Sequence, residues 1–464
     1  MKMAKKMQHL VPLLLTFVIL TRLAMCYKEF KGLQDLLETT TPTTAQRMRL
    51  THSWKILEFA FDSEADREAA IKNGTYRPGA ALPIDVDVYY GGTKPKVFVT
   101  TPRLERGVPM TLGYVTDKLS ENGQHLIAPY PDWGWNTLGD NCDSLTGVFR
   151  VQIDECDRLW VMDTGVILGE GRPCPPQLLS FSLKTNKLLS RYRIPDDQFD
   201  PLLSLHVTVV ADVRMKPNDY SKDKSCKDTF VYIADNQAHA LIVYDHAAVR
   251  SWKIINPLFD PNPDDSKFYI HDKTFELMDG IIGMALGPVQ PDGDRTLYFH
   301  SLASRVESHV PTSIIRNYEL FHKNSRAASD AFKAFPTKRT TQSVAEAMDR
   351  NGVLYFGLMS DLAIGCWNSK QFPEFGGRNI HNVVVNEETL EFASGVKVLT
   401  APDGRQVLWV LTSSFHRYLT GSMNINETNF RINAGFTQEL VRGTVCDIDA
   451  VHNFPFAHRF PKLP

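Results

Sequence analysis

Val97-Phe98-Val99-Thr100-Thr101, Leu159-Trp160-Val161-Met162-Asp163, Val231-Tyr232-Ile233-Ala234-Asp235, Leu297-Tyr298-Phe299-His300-Ser301, Leu354-Tyr355-Phe356-Gly357-Leu358 and Leu408-Trp409-Val410-Leu411-Thr412 are six variants of one pattern. Each opens on an aliphatic–aromatic pair, stays apolar and ends in a polar cluster, which in the fifth comes later, at Ser360-Asp361. Their starts at 97, 159, 231, 297, 354 and 408 lie 62, 72, 66, 57 and 54 residues apart. A period near 60 containing only short β-type segments predicts propeller blades with long loops.

The flanks support hairpins. Val148 to Ile153 leads through Asp154-Glu155-Cys156-Asp157 into Leu159, Val344 to Met348 through Asp349-Arg350-Asn351-Gly352 into Leu354, and Gly395 to Thr400 through Pro402-Asp403-Gly404 into Leu408. Apolar strands joined by Asp/Asn-Gly turns are the hairpin signature. A lone four-stranded sheet has two bare edges, whereas blades packed round an axis bury their faces against each other. The alternative, a row of ordinary β-domains, leaves the common period unexplained. The expected fold is all-β: a six-bladed β-propeller with a central channel over residues 51–450, the six stretches being its inner strands. The region from Trp54 to Phe61 is expected to join the last blade and close the ring, and Glu64 to Lys72 to form a short helix.

The N-terminus reads as an export signal, residues 1–26: Lys2, Lys5 and Lys6, an apolar run from Leu10 to Leu20, then Ala24-Met25-Cys26. The run is short for a bilayer span, which argues against an uncleaved anchor. A Thr-rich leader (27–50) and a Pro-rich tail (451–464) flank the blades. Cleavage leaves 47 basic against 53 acidic residues, a net charge of −6, with no basic patch for nucleic acid and no membrane partner. Six cysteines then remain: Cys142, Cys156, Cys174, Cys226, Cys366 and Cys446. An even count in an exported chain suggests three disulfides. Cys366 with Cys446 is the preferred long-range pair, linking the fifth blade to the chain end, and the other four pair among themselves. Asn73-Gly74-Thr75 and Asn426-Glu427-Thr428 are glycosylation sequons.

Trp54-Lys55-Ile56-Leu57-Glu58-Phe59, Tyr130-Pro131-Asp132-Trp133, the block from Cys142 through Arg158-Leu159-Trp160-Val161-Met162-Asp163-Thr164-Gly165, Ile233-Ala234-Asp235-Asn236 and Asp279 to Leu286 resemble the insect yellow and major royal jelly proteins. The resemblance runs from about Trp54 to Cys446 and implies a six-bladed propeller. It leaves activity open: some members resemble dopachrome-converting enzymes of the melanin pathway, others bind biogenic amines, and others are nutritional or structural.

No Walker loop, G-x-S-x-G or H-E-x-x-H motif is present, and no cofactor or metal is expected. Asp260 to Asp265 imitates the start of an EF-hand but lacks its glycine. The candidate site is the channel mouth, where the polar strand ends should converge. His300, Asp163 and Asp361 are the candidate acid–base residues; Asp235, Asn236, Thr412, Ser413 and Phe415 are candidate ligand contacts, with Thr164, Ser301 and Ser360 beside them. The plain alternative is that such residues cap loops. Phe415 and Trp367 offer aromatic surfaces. Amine-binding relatives carry Asn-x-Phe where this chain has Ser413-Ser414-Phe415, so the ring is kept and the amide is not. The expected partner is a small catechol- or indole-type molecule, converted as dopachrome or simply bound; an extracellular structural role and a calcium-dependent lactonase are further readings. An acidic mouth disfavours a carboxylate ligand unless a cation is near, and Arg103 is the candidate cation.

Protein recovered from insect-cell medium should begin near Tyr27 and carry glycan at one or both sequons. Intact-mass spectrometry that found residues 1–26 retained would refute the export signal.

Overall fold

The computed structural model describes residues 47–139, 141–214 and 226–448. The export signal, the Thr-rich run 39–44 and the Pro-rich tail lie outside these residues. The chain forms a six-bladed β-propeller. A first strand, β1 (Arg49–Trp54), precedes the blades. Blade one comprises β2 (Asp85–Tyr89), β3 (Lys96–Thr100), β4 (Leu112–Leu119) and β5 (His125–Pro129); blade two comprises β6 (Val148–Ile153), β7 (Arg158–Asp163), β8 (Gln177–Ser182) and β9 (Leu188–Arg193). Blade three is β10 (His206–Val213), β11 (Thr229–Asp235), β12 (Ala240–Asp245) and β13 (Arg250–Ile255). A hairpin, β14 (Lys267–Ile270) and β15 (Lys273–Glu276), intervenes before blade four: β16 (Ile281–Leu286), β17 (Thr296–Ser301), β18 (Ser308–Pro311) and β19 (Lys333–Ala334). Blade five is β20 (Glu346–Met348), β21 (Val353–Leu358), β22 (Ala363–Asn368) and β23 (Ile380–Val385). Blade six is β24 (Ala393–Thr400), β25 (Gln406–Ser413), β26 (Phe430–Phe436) and, as its outermost strand, β1. Glu64–Lys72 is the expected helix, N-capped by Ser63.

The first strands of successive blades touch in a closed ring, β2–β6–β10–β16–β20–β24 and back to β2. These line the axis, so the six repeated stretches are second strands and not, as expected, the innermost. The reason is packing. A second strand has a partner on both edges and a blade against both faces, and β7, β21 and β25 are almost wholly buried. Such strands give the most uniform apolar signature. An innermost strand leaves one edge free toward the axis and must carry polar side chains to satisfy it.

Those side chains bridge blade to blade. Asp85 and Asp87 on β2 accept the Val151 and Ile153 N–H groups of β6, at 3.1 and 2.8 Å. Gln152 Oε1 accepts the Ala211 N–H of β10 at 2.8 Å, and Thr208 Oγ1 donates to the Ile282 carbonyl of β16 at 2.6 Å. The pairing of β6, β10, β16 and β24 shifts register near the start of each strand. A bulge there increases local twist and re-aims the side chains beside it.

The ring closes through β1, antiparallel to β26 from Arg49 opposite Ala434 to Trp54 opposite Phe430. The latch thus lies earlier than the expected Trp54–Phe61. After Trp54 the chain crosses to blade one, where Phe59 bridges Ile127 and the Trp54 indole donates to the His125 carbonyl at 2.7 Å. Trp54 is fully buried, so one side chain ties the last blade to the first. Three disulfides staple the ring: Cys142–Cys174, Cys156–Cys226 and Cys366–Cys446. The last joins β22 to the segment after β26, and a loop of 80 residues closed in this way contributes about 2–5 kcal/mol.

A chain starting at Lys55 lacks the latch and exposes the edge of β26. It should aggregate on size-exclusion chromatography; a monomeric, cooperatively melting truncation would contradict the latch.

Candidate functional site: the central channel

The polar ends of the second strands all lie at one face of the propeller, where the innermost strands begin. That mouth is stoppered. Phe268 and Phe275 of the β14–β15 hairpin stack at 5.2 Å and join Leu205, Val207, Ile282, Val344 and Phe392 in one apolar cluster. Phe415 packs on Phe392 at 5.2 Å as part of this cluster. The hairpin is held by Gln342, whose amide donates to the Asp265 and Lys267 carbonyls, and by His271 against Glu391 at 2.9 Å. The EF-hand-like loop holds no ion-binding geometry of that kind: Asp265 pairs with Arg305 at 2.7 Å.

Most of the sequence candidates are therefore loop anchors. Asp163 is buried and accepts from the Thr146, Gly147 and Gly165 N–H groups and the Gln177 amide at 2.8–3.2 Å, fixing the chain that enters β6. Asp235 does the same for β10, accepting from Ser204 Oγ, Leu205 N and Ala238 N. Asn236 donates to the Gly280 carbonyl, Ser301 to Phe259 and Thr412 to Thr389. Thr164 Oγ1 accepts the Val166 N–H. Ser413 is buried, and its hydroxyl finds no partner among the described residues. Ser360 and Asp361 lie at the surface, where Asp361 accepts from Thr340 at 2.6 Å. Trp367 is fully buried between blades against Tyr298, Phe335 and Phe375. Arg103 does not reach the channel: its guanidinium is enclosed by the Val108, Pro109, Asn136, Leu145 and Thr146 carbonyls. Asn73 and Asn426 are exposed.

The opposite mouth is open. A cavity of about 690 Å³ runs in from the ends of all six innermost strands, past Tyr90, Met284, Met348 and Val398, to Arg150, Thr208 and Glu346. Of the sequence candidates, His300 alone touches its wall. His300 Nδ1 lies 3.0 Å from Glu346 Oε2 and 3.1 Å from Glu307 Oε2, with all three residues buried. Arg339, also buried, binds Glu307 from the other side. Burial and Arg339 oppose a charge on the His300 imidazole, yet Glu346 and Glu307 outweigh them and hold its pKa above the ordinary value. Burial raises the carboxyl pKa of Glu346, and neighbouring Glu307 adds to the rise. Glu307 goes the other way: burial works against its charge, but His300 and Arg339 prevail. Farther round, Lys397 pairs with Asp85 at 3.0 Å, and burial pushes the Asp87 carboxyl up to about 7.

Charge counting shows what this arrangement does. Arg150, Arg339 and Lys397 face Asp85, Asp87, Glu307 and Glu346, so three cations meet four carboxyl groups. A proton on His300 or on Glu346, 3.0 Å apart, brings the set to neutrality. Neighbouring groups whose affinities are pushed apart, His300 and Glu346 upward and Glu307 downward, are suited to proton transfer. The ligand-capable atoms of His300, Glu307 and Glu346 lie within 4.8 Å of one another, a geometry that could also hold a metal ion. Arg339, already bonded to Glu307, supplies positive charge at that place.

Sequence reading missed Glu307, Glu346, Arg339 and Arg150. For two of them a signal existed: Arg150 interrupts Val148-Phe149-Arg150-Val151, and Glu346 interrupts Val344-Ala345-Glu346-Ala347-Met348. A charge inside an apolar strand is costly to bury unless paired or used.

The fold and the site define a six-bladed propeller with a polar, one-ended channel, and the comparisons give its lineage. Residues 146–446 match the major royal jelly protein family model. The chain is 34% identical to major royal jelly protein 9 of Apis mellifera over 87% of this chain and 91% of that one. It is 33% identical to protein yellow of Drosophila melanogaster over 90% and 74% respectively. It belongs to the yellow/major royal jelly protein family. Among solved structures, virginiamycin B lyase from Staphylococcus aureus is 12% identical, with a TM-score of 0.34, covering 71% of this chain and 91% of that one.

The Asp87 carboxyl holds its proton more tightly folded than unfolded, so its ionisation withdraws stability as pH rises from about 4 to about 7. Asp87→Asn removes that loss. The variant should gain on wild type across this window by on the order of 4 kcal/mol, each of about three pKa units being worth about 1.4. Thermal melts from pH 4 to 8 showing a constant difference would refute the assignment.

Proposed function

We propose that this chain is a secreted yellow-family protein that binds a catechol- or indole-type ring in its channel and converts dopachrome to a dihydroxyindole in extracellular melanin formation. The carrying observation is the buried His300–Glu346 pair, of which Glu346 lines a cavity large enough for a bicyclic ring. Three disulfides fit an oxidising compartment, and the family supplies the substrate class. The reaction suits the site because it needs proton movement and no external oxidant: the quinone ring accepts the electron pair released when a ring carbon loses its proton or its carboxylate. Glu346, the member of the pair that lines the cavity, is the group nearest to take the proton. His300, whose charged form Glu346 and Glu307 favour, stabilises the carboxylate and returns the proton. Tyr90, Met284 and Met348 give the ring an aromatic and polarisable wall.

A second reading is binding without turnover of a catechol or indole amine. The carboxyl side chains lining the cavity outnumber its cations six to four, a surplus that favours a cationic ligand.

Purified protein should speed the loss of the visible absorbance of fresh dopachrome above the spontaneous rate. His300→Gln and Glu346→Gln should each lower that rate about tenfold or more, general acid–base groups contributing about 10²–10⁴-fold. Asp361→Asn should leave it unchanged. Wild type equal to background would end the enzymatic reading, and saturable binding of dopamine without turnover would favour the second.

A further inference from the structure

We infer that the floor of the channel is a carboxylate-binding site centred on Arg150. The inference rests on the reading of the channel as the ligand site and names the group by which the ligand is held.

Arg150 is 4% exposed and lines the cavity from the irregular stretch of β6. It differs from three other buried arginines of the propeller. Arg103 is enclosed by five carbonyls, Arg158 binds Asp154, Thr229 and the Cys226 carbonyl, and Arg339 binds Glu307 and two carbonyls. The Arg150 guanidinium makes no hydrogen bond to any described residue, and its Nε is buried without a partner. Asp85 and Glu346 lie close enough to support its charge. They do not bond its donors: Asp85 Oδ2 is taken by Lys397 and the Val151 N–H, Glu346 faces His300, and Asp85 Oδ1 and the Glu346 oxygens are themselves buried without a hydrogen bond. A guanidinium carries five donors in a rigid planar fork that matches a carboxylate two-to-two, and leaving them unused in a buried place is strongly unfavourable.

The neighbourhood selects the sign of the ligand. Lys397 is a second cation on the same wall. An ammonium group at the floor would meet two cations, with Asp85 and Glu346 beside them already facing Lys397 and His300, whereas a carboxylate would meet its two-point donor. A small ring bearing a carboxylate therefore enters carboxylate first. Bound this way it sets the carbon next to that group against Glu346, and it excludes amines that have lost their carboxyl.

The test uses the full mature chain and three probes: indole-2-carboxylate, its uncharged isostere indole-2-carboxamide, and tryptamine. Titration calorimetry on wild type should show the carboxylate binding at least about tenfold more tightly than the carboxamide, as for a charge-assisted hydrogen bond, with tryptamine weakest. Arg150→Met should erase the preference by weakening the carboxylate alone, and Arg150→Lys should restore part of it. Equal affinity for carboxylate and carboxamide, tighter tryptamine, no binding of any probe, or an Arg150→Met variant that keeps the preference would each overturn the site. The probe comparison on wild type decides the matter even if the variants fail to fold. The two readings separate cleanly. Carboxylate preference without dopachrome turnover leaves the site and removes the enzyme. Conversion of dopachrome and its methyl ester at equal rates leaves the enzyme and removes the site.

Discussion

A strand beside the axis of a propeller has no sixth neighbour to lean on. Its inner edge presents N–H and C=O groups to a space too narrow for another strand. Unpaired, each would cost about 1–3 kcal/mol. Here side chains answer the problem: Asp85, Asp87, Gln152 and Thr208 each reach the next blade's backbone. This solution places acids and amides in the ring of innermost strands before any function is asked of them. The polar channel is a consequence of closing the ring, and the site is built from what closure already requires.

Chemistry then depends on how the remaining charges are arranged. Four carboxyl groups and three permanent cations in a buried setting cannot all hold their charges independently of one another. Burial alone would discharge Glu346 and Asp87, and Glu307 keeps its charge because Arg339 and His300 stand beside it. A propeller that merely needed packing would fill the seam between blades four and five with leucine, as replacing a buried ion pair by apolar side chains is often neutral or stabilising.

The blade count and the hairpins were legible because second strands, covered on both faces and both edges, have little freedom in composition. Leu159-Trp160-Val161 and Leu408-Trp409-Val410 repeat for that reason. Radial position was not legible, since the strongest apolar signal belongs to the strand with the most neighbours and not to the one nearest the axis. The error carried over to the site. Asp163 and Asp235 end second strands, and there an acid is consumed by the backbone of the entering loop. His300 ends one too, but its loop is anchored otherwise, which leaves the ring free to reach Glu346 on the next blade. Contact between blades, and the hairpin inserted between blades three and four, depend on tertiary closure and leave no local pattern to read.

That hairpin has a kinetic meaning. With Phe268 and Phe275 seated over one end, the channel has a single door. A molecule at the floor must leave by the route along which the next arrives, so occupancy is strictly sequential and no chain can be threaded through. A polymer could offer only a terminus. Residence time at the floor, set by how firmly the deepest group is gripped, then limits how often the door is free.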